Sequence, residues 1–133
     1  MELIDKVRAA KRVYLVGNGG SAANAGHICN DLETAGVRAY VMNEATKSAW
    51  ENDYEHADVF ARWIRLHGEK GDLLIALSGS GTSPNILNAI AEAERIGMDV
   101  HREFGAAQGF DMQAAEERQI WLGHELMRQL KSG

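Results

Sequence analysis

Leu74-Ile-Ala-Leu-Ser78-Gly-Ser80-Gly81-Thr82-Ser83-Pro84-Asn85 reads as a buried strand, a loop of small residues and the start of a helix. Asp72 to Leu77 forms a run of strand length, bounded by Gly71 and by the serine–glycine cluster. Pro84 has no N–H to give to a helix interior but suits a first helical position. Ile86 to Ala93 then follows helical spacing. A junction of this kind points unpaired N–H groups and hydroxyls at one spot, at the positive end of a helix dipole, which suits an anion such as phosphate. Serine caps on an ordinary strand–helix turn are the simpler reading. Three serines, Ser78, Ser80 and Ser83, with Gly79 and Gly81 between them, exceed what one cap needs.

The same alternation extends outward from this stretch. Met1 to Ala10 reads as a short amphipathic helix, and Val13 to Val16 as a compact buried strand. Gly17-Asn18-Gly19-Gly20-Ser21 follows, with Ser21 as expected N-cap of a helix from about Ala22 to Thr34 and Gly36 as its stop. Val37 to Met42 reads as a second strand, and Thr46 to Asn52 as irregular or a short helix. Ala57 to His67 reads as a helix that turns Val59, Phe60, Trp63, Ile64 and Leu66 inward. Gly97 closes the helix after Pro84. Strands and helices that alternate in this way predict an α/β domain, a three-layer doubly wound parallel sheet.

Beyond that point the alternation stops. Met98 to Val100 starts like a strand, but His101 to Phe110 does not continue one. Asp111 to Lys131 reads as a long helix with apolar contacts from Met112, Ala115, Ile120, Leu122, Leu126, Met127 and Leu130. Three strands make a thin sheet whose edges call for cover by other subunits. Trp50, Trp63 and Trp121 suit either core or interface.

With 133 residues, 45% of them hydrophobic and 25% charged, one domain over residues 1–133 is expected. A net charge of −5 without a Lys/Arg cluster speaks against a nucleic-acid partner. Cys29 is the single cysteine, so no internal disulfide forms. Met1-Glu-Leu-Ile-Asp5 has neither a basic nor an apolar signal region, and no run reaches membrane-spanning length. A cytoplasmic protein without a membrane partner is the expectation.

Gly17 to Ala22 also fits a relaxed dinucleotide fingerprint, G-x-G-x-x-A, with Glu44 as a ribose partner. That reading leaves the second serine loop unexplained. No Walker A sequence occurs. His27 and Asp31, four apart, share a helix face, as a base and its orienting partner, two metal ligands or a surface contact. Glu116 and His124, eight apart, lie roughly 80° apart around their helix. His124, among Leu122, Leu126 and Met127, reads as a satisfied core histidine or a functional group. His56, His67 and His101 read as surface residues.

Together these segments resemble the sedoheptulose-7-phosphate isomerases, bacterial phosphoheptose isomerases with the flavodoxin-like sugar isomerase (SIS) fold. The resemblance is carried by Gly17 to Ser21 with His27 and Asp31, by Asn52-Asp53-Tyr54 and Val59 to Arg62, by Gly71 to Asn85, and by Glu117 to His124. It implies that a sugar phosphate is held by Ser78, Gly79, Ser80 and Ser83, with Asn18, Gly19, Gly20, Ser21, Asn52, Asp53 and Glu116 completing the contacts. Asp31 would be the base and His124 the acid of an aldose–ketose isomerisation that needs no nucleotide cofactor. Zinc would bind His27, Asp31, Glu116 and His124, and the assembly would be a homotetramer with sites shared between subunits.

The sequence also departs from that family. Asp31 stands where the family has Glu, Gly79 where it has Thr, and Glu116 where it has Gln. The long N-terminal helix and the segment after the third strand look trimmed. A non-catalytic SIS module, binding a sugar phosphate as a signal or serving as a protein scaffold, is the alternative expectation.

Overall fold

The computed structural model describes residues 2–132. Met1, the expected first residue of the opening helix, lies outside them. The elements in order are α1 (Leu3–Ala9), β1 (Val13–Val16), α2 (Gly20–Thr34), β2 (Ala39–Val41), α3 (Glu44–Asp53), α4 (Val59–His67), β3 (Leu73–Ser78), α5 (Pro84–Ile96), β4 (Asp99–Phe104) and α6 (Met112–Lys131). Short 3-10 turns precede α4 and α6, at His56–Asp58 and Ala106–Gln108. The sheet is parallel throughout, in the order β2-β1-β3-β4.

The two central strands are buried on both faces, which is why they read as unbroken apolar runs. Side-chain alternation divides them between two cores. Val13, Leu15, Leu73, Ile75 and Leu77 face α2 and α6, where they meet Ile28, Leu32, Leu122 and Leu126. Tyr14, Val16, Leu74 and Ala76 face α4 and α5, where they meet Phe60, Trp63, Ile64, Ile86 and Ile90. Each fully buried Leu or Ile stabilises the domain by roughly 1.5–3 kcal/mol. The three-layer expectation holds.

Several expected boundaries move. A fourth strand, Asp99–Phe104, pairs with β3 along its whole length. The expectation of three strands, with the sheet trimmed after the third, is therefore corrected. Its two buried residues, Val100 and Glu103, point to opposite faces among exposed and half-buried neighbours, so its sequence neither alternates nor runs apolar. Its inward Glu103 is 4% exposed, held by His101 Nε2 at 3.2 Å and Gln108 Nε2 at 2.7 Å, with Arg118 Nε at 3.6 Å. His101 is accordingly half-buried and paired rather than a free surface group.

Gly19, not Ser21, is the N-cap of α2. The segment from Glu44 to Asp53 is a full helix because Asn43 caps it, accepting from the N–H groups of Ala45 and Thr46. The second strand shortens to three residues. In α4, Val59, Phe60, Trp63 and Ile64 are buried as expected, whereas Leu66 is 66% exposed. Trp63 is core, Trp50 packs against that core from its margin, and Trp121 is exposed. Among the described residues no helix is long and apolar enough to cross a membrane.

Candidate active site

The chain reverses its winding between β1 and β3: α2 covers one face of the sheet and α5 the other. The loops at the carboxyl ends of these two neighbouring strands open a crevice there, as doubly wound sheets do. A cavity of about 270 Å³ fills it, and its lining brings together Asn18, Gly19, Gly20 and Ser21 with Ser78, Gly79, Ser80 and Ser83.

The serine loop is braced from within. The Gly81 N–H donates to Ser78 Oγ at 2.9 Å, and the Thr82 N–H and hydroxyl both donate to Ser80 Oγ at 3.2 Å. Gly81, at φ 73°, supplies the left-handed turn this needs, and Gly19, at φ 53°, does the same on the opposite loop. Both serines act as acceptors in these bonds, and their hydroxyls lie 3.5 Å apart, where either can donate to the other, so at least one O–H proton stays available to a ligand. Ser83 caps α5 without spending its hydroxyl on the helix. The absence of a side chain at Gly79 leaves room for Met112 of α6, which lies where a β-carbon would go.

Asn18 is tied rather than free: its amide and that of Asn85 exchange two hydrogen bonds, at 2.9 and 2.8 Å. Ser21 is 4% exposed and accepts from Gln119 Nε2 at 3.0 Å. Gln119 is 0% exposed, and its Oε1 accepts from Asn24 at 2.8 Å. A second Asn24 bond, to the Glu116 carbonyl at 3.0 Å, completes a polar seam that fixes α6 on α2.

Further along that seam, His27, Asp31 and His124 converge. His27 Nε2 lies 3.4 Å from Asp31 Oδ2 and 2.9 Å from His124 Nε2, and the three donor atoms fall within 4.8 Å of one another. The carboxylate is 4% exposed, and its Oδ2 has no hydrogen-bond partner among the described residues. Gly123 makes the convergence possible, because a β-carbon there would sit 2.8 Å from both Asp31 Oδ2 and Ile28 Cγ1. An unmatched buried oxygen beside two imidazole nitrogens is a donor set that fits a zinc ion, whose tetrahedral N and O ligands lie at roughly 2.0–2.2 Å. Nucleophilic thiol chemistry does not fit, because burial, with a hydrogen bond to Glu33, pushes the Cys29 thiol up to about 12.

Two expected placements change. The Glu116 carboxylate stands beside Gly20 in the crevice, about 12 Å along α6 from His124 at 1.5 Å per residue. It is not among the three clustered metal-ligand candidates. Asn52 and Asp53 are exposed at the end of α3 and do not line the crevice. Glu44 begins α3 and lines a separate groove of about 460 Å³ on the β2 side of the first loop.

Sequence reasoning missed Asn24, Asn85, Gln119 and Gly123. Only Asn85 carried a local signal, as the residue that ends the serine loop.

The profile of the SIS domain family matches residues 2–101. The chain belongs to the SIS domain family. Among its relatives is a phosphoheptose isomerase of Rhodospirillum rubrum, 40% identical over 111 residues, covering 77% of this chain and 59% of the relative. A phosphoheptose isomerase of Crocosphaera subtropica is 38% identical over 99 residues, covering 68% of this chain and 50% of the relative. This SIS chain therefore spans between half and three fifths of the length of these curated relatives. The structure of phosphoheptose isomerase GmhA from Neisseria gonorrhoeae superposes with a TM-score of 0.86 at 25% identity, covering 98% of this chain and 82% of that one.

Proposed function

We propose that this SIS domain is a phosphosugar isomerase, acting on a ketose phosphate of the sedoheptulose 7-phosphate kind. The observation that carries the reading is the pairing of two sites along one helix seam. A hydroxyl and N–H cradle lies at the start of α2, and a shielded carboxylate with two imidazoles lies further along it. From Gly20 to His27 the offset is about 10 Å along the helix axis. An extended sugar phosphate of six or seven carbons, with C–C bonds of about 1.5 Å, spans that length.

In this reading the cradle anchors the phosphate with the backbone N–H groups of both loops and the hydroxyls of Ser78, Ser80 and Ser83. Asp31 takes a proton from C1 of the ketose while His124 gives one to O2, forming an enediol. Return of the carbon-bound proton from Asp31 to C2, and transfer of the O1 proton to His124, gives the aldose. Asp31 is one methylene shorter than Glu, and α6 approaches it closely over Gly123. As another use of the same side chains, His27, Asp31 and His124 would hold zinc, which when bound supplies Lewis-acid polarisation of the substrate oxygens, while an atom that ligates it carries no proton. Asn52 and Asp53, remote from the crevice, enter it from a neighbouring subunit of a cytoplasmic homo-oligomer.

Turnover of sedoheptulose 7-phosphate to an aldose phosphate tests the proposal. Activity lost in both Asp31→Asn and His124→Ala, with sugar-phosphate binding retained, supports it. Binding without turnover in the wild-type protein leaves the non-catalytic module standing instead.

A further inference from the structure

The crevice that suits a phosphate contains a negative charge of its own. Glu116 projects from α6 over the first turn of α2, where a β-carbon at Gly20 would overlap its carboxylate and meet Oε1 at 2.9 Å. Its carbonyl is pinned by Asn24 at 3.0 Å, and the neighbouring Gln119 is pinned by Asn24 and Ser21, so the backbone of this turn has little freedom to retreat. Among the described residues the Glu116 carboxylate has neither a hydrogen-bond donor nor an ion-pair partner. No lysine, arginine or histidine lines the cavity either.

We infer that Glu116 sets the ligand selectivity of the crevice by charge: it weakens the binding of a dianionic phosphate, and a neutral amide in its place strengthens it. The inference rests on the reading of the two loops as a phosphate cradle. A helix terminus offers roughly half a positive charge. A full negative charge at the same terminus more than cancels that, and the low-dielectric walls of a crevice shield it less than bulk water would. Attraction is then left to hydrogen bonds from Ser78, Ser80, Ser83 and the loop N–H groups, which a less charged ligand can use equally well. Glu116 is thus a selectivity-determining residue, one whose charge tells against a dianion at a site otherwise built for one.

Inorganic phosphate titrated calorimetrically into the wild-type protein and into Glu116→Gln and Glu116→Asp tests this directly. The isosteric Gln variant is expected to bind phosphate about ten- to a hundredfold more tightly than wild type. The Asp variant, which keeps the charge, is expected to stay within about threefold of wild type. Ser80→Ala with Ser83→Ala in the Gln background is expected to abolish the gain. Glu116→Ala serves as a second neutral variant if Glu116→Gln does not fold. Equal phosphate affinity in the wild-type, Gln and Ala proteins overturns the inference while leaving the cradle intact. Failure of all of them to bind phosphate overturns the cradle reading, and the inference with it.

Discussion

Asn18 and Asn85 exchange two amide hydrogen bonds, at 2.9 and 2.8 Å, and so clamp the loop after β1 to the first turn of α5. Each amide gives one proton and accepts one, which fixes the spacing of the two loops that face the crevice. Asn85 is buried, so truncating it strands the Asn18 amide without its partner. Asn85→Ala is expected to cost about 1–3 kcal/mol of stability. It is also expected to weaken phosphate binding about tenfold or more by letting the loops drift apart, since about 1.4 kcal/mol is tenfold in affinity. Chemical denaturation and calorimetric titration measure the two effects separately.

Gly123 sets how closely α6 lies on α2. With Asp31 Oδ2 and Ile28 Cγ1 both 2.8 Å from the position of an added β-carbon, Gly123→Ala is expected to push the helices apart. The cost in stability is about 1–3 kcal/mol, in the range of other overpacked cores. A wild-type melting temperature in this variant would show that the seam has slack.

Zinc binding gives a readout that does not depend on turnover. Adding zinc is expected to raise the melting temperature of the wild-type protein, because the ion would satisfy the stranded Asp31 oxygen. His27→Ala and His124→Ala are each expected to remove most of that rise. Glu116→Gln is expected to keep it, since Glu116 is not part of the cluster.

Glu103 should make stability depend on pH. Burial alone would raise its carboxyl, but hydrogen bonds from His101 and Gln108, together with the charges of His101 and Arg118, outweigh burial and hold it below the usual carboxylate range. A group depressed on folding contributes stability that is complete above its unfolded value, about 4.3, and is lost as pH falls through its folded value. Glu103→Gln is therefore expected to melt below wild type near pH 7, with the gap closing as pH drops from about 5 towards 3. A gap that does not change with pH would assign the Glu103 contribution to packing.

What the sequence disclosed and what it hid follow from the range of the interactions. The strands β1 and β3 are buried on both faces, so each shows as an uninterrupted apolar run. The serine loop and Pro84 mark their helix start locally, and His27 with Asp31 shares a face by spacing alone. The strand Asp99–Phe104 escaped because its inward glutamate is satisfied by Gln108 and Arg118, beyond the strand itself. The Asn18–Asn85 clamp joins residues 67 apart, and the Ser21–Gln119 bond joins residues 98 apart. The place of Glu116 beside Gly20 depends on the register of α6 against α2, which is a tertiary property. Periodicity put Glu116 and His124 on neighbouring faces of one helix but could not say that they serve opposite ends of the seam.

The central claim, that Asp31 moves a carbon-bound proton on a sugar phosphate held by the serine loop, is tested most directly by hydrogen exchange. Sedoheptulose 7-phosphate would be incubated with the protein in D2O and followed by NMR. The account predicts deuterium at C2 of a newly formed aldose phosphate and at C1 of the recovered ketose, with both signals lost in Asp31→Asn. A wild-type protein that binds the sugar phosphate yet leaves its carbon-bound hydrogens unexchanged and forms no aldose would contradict it.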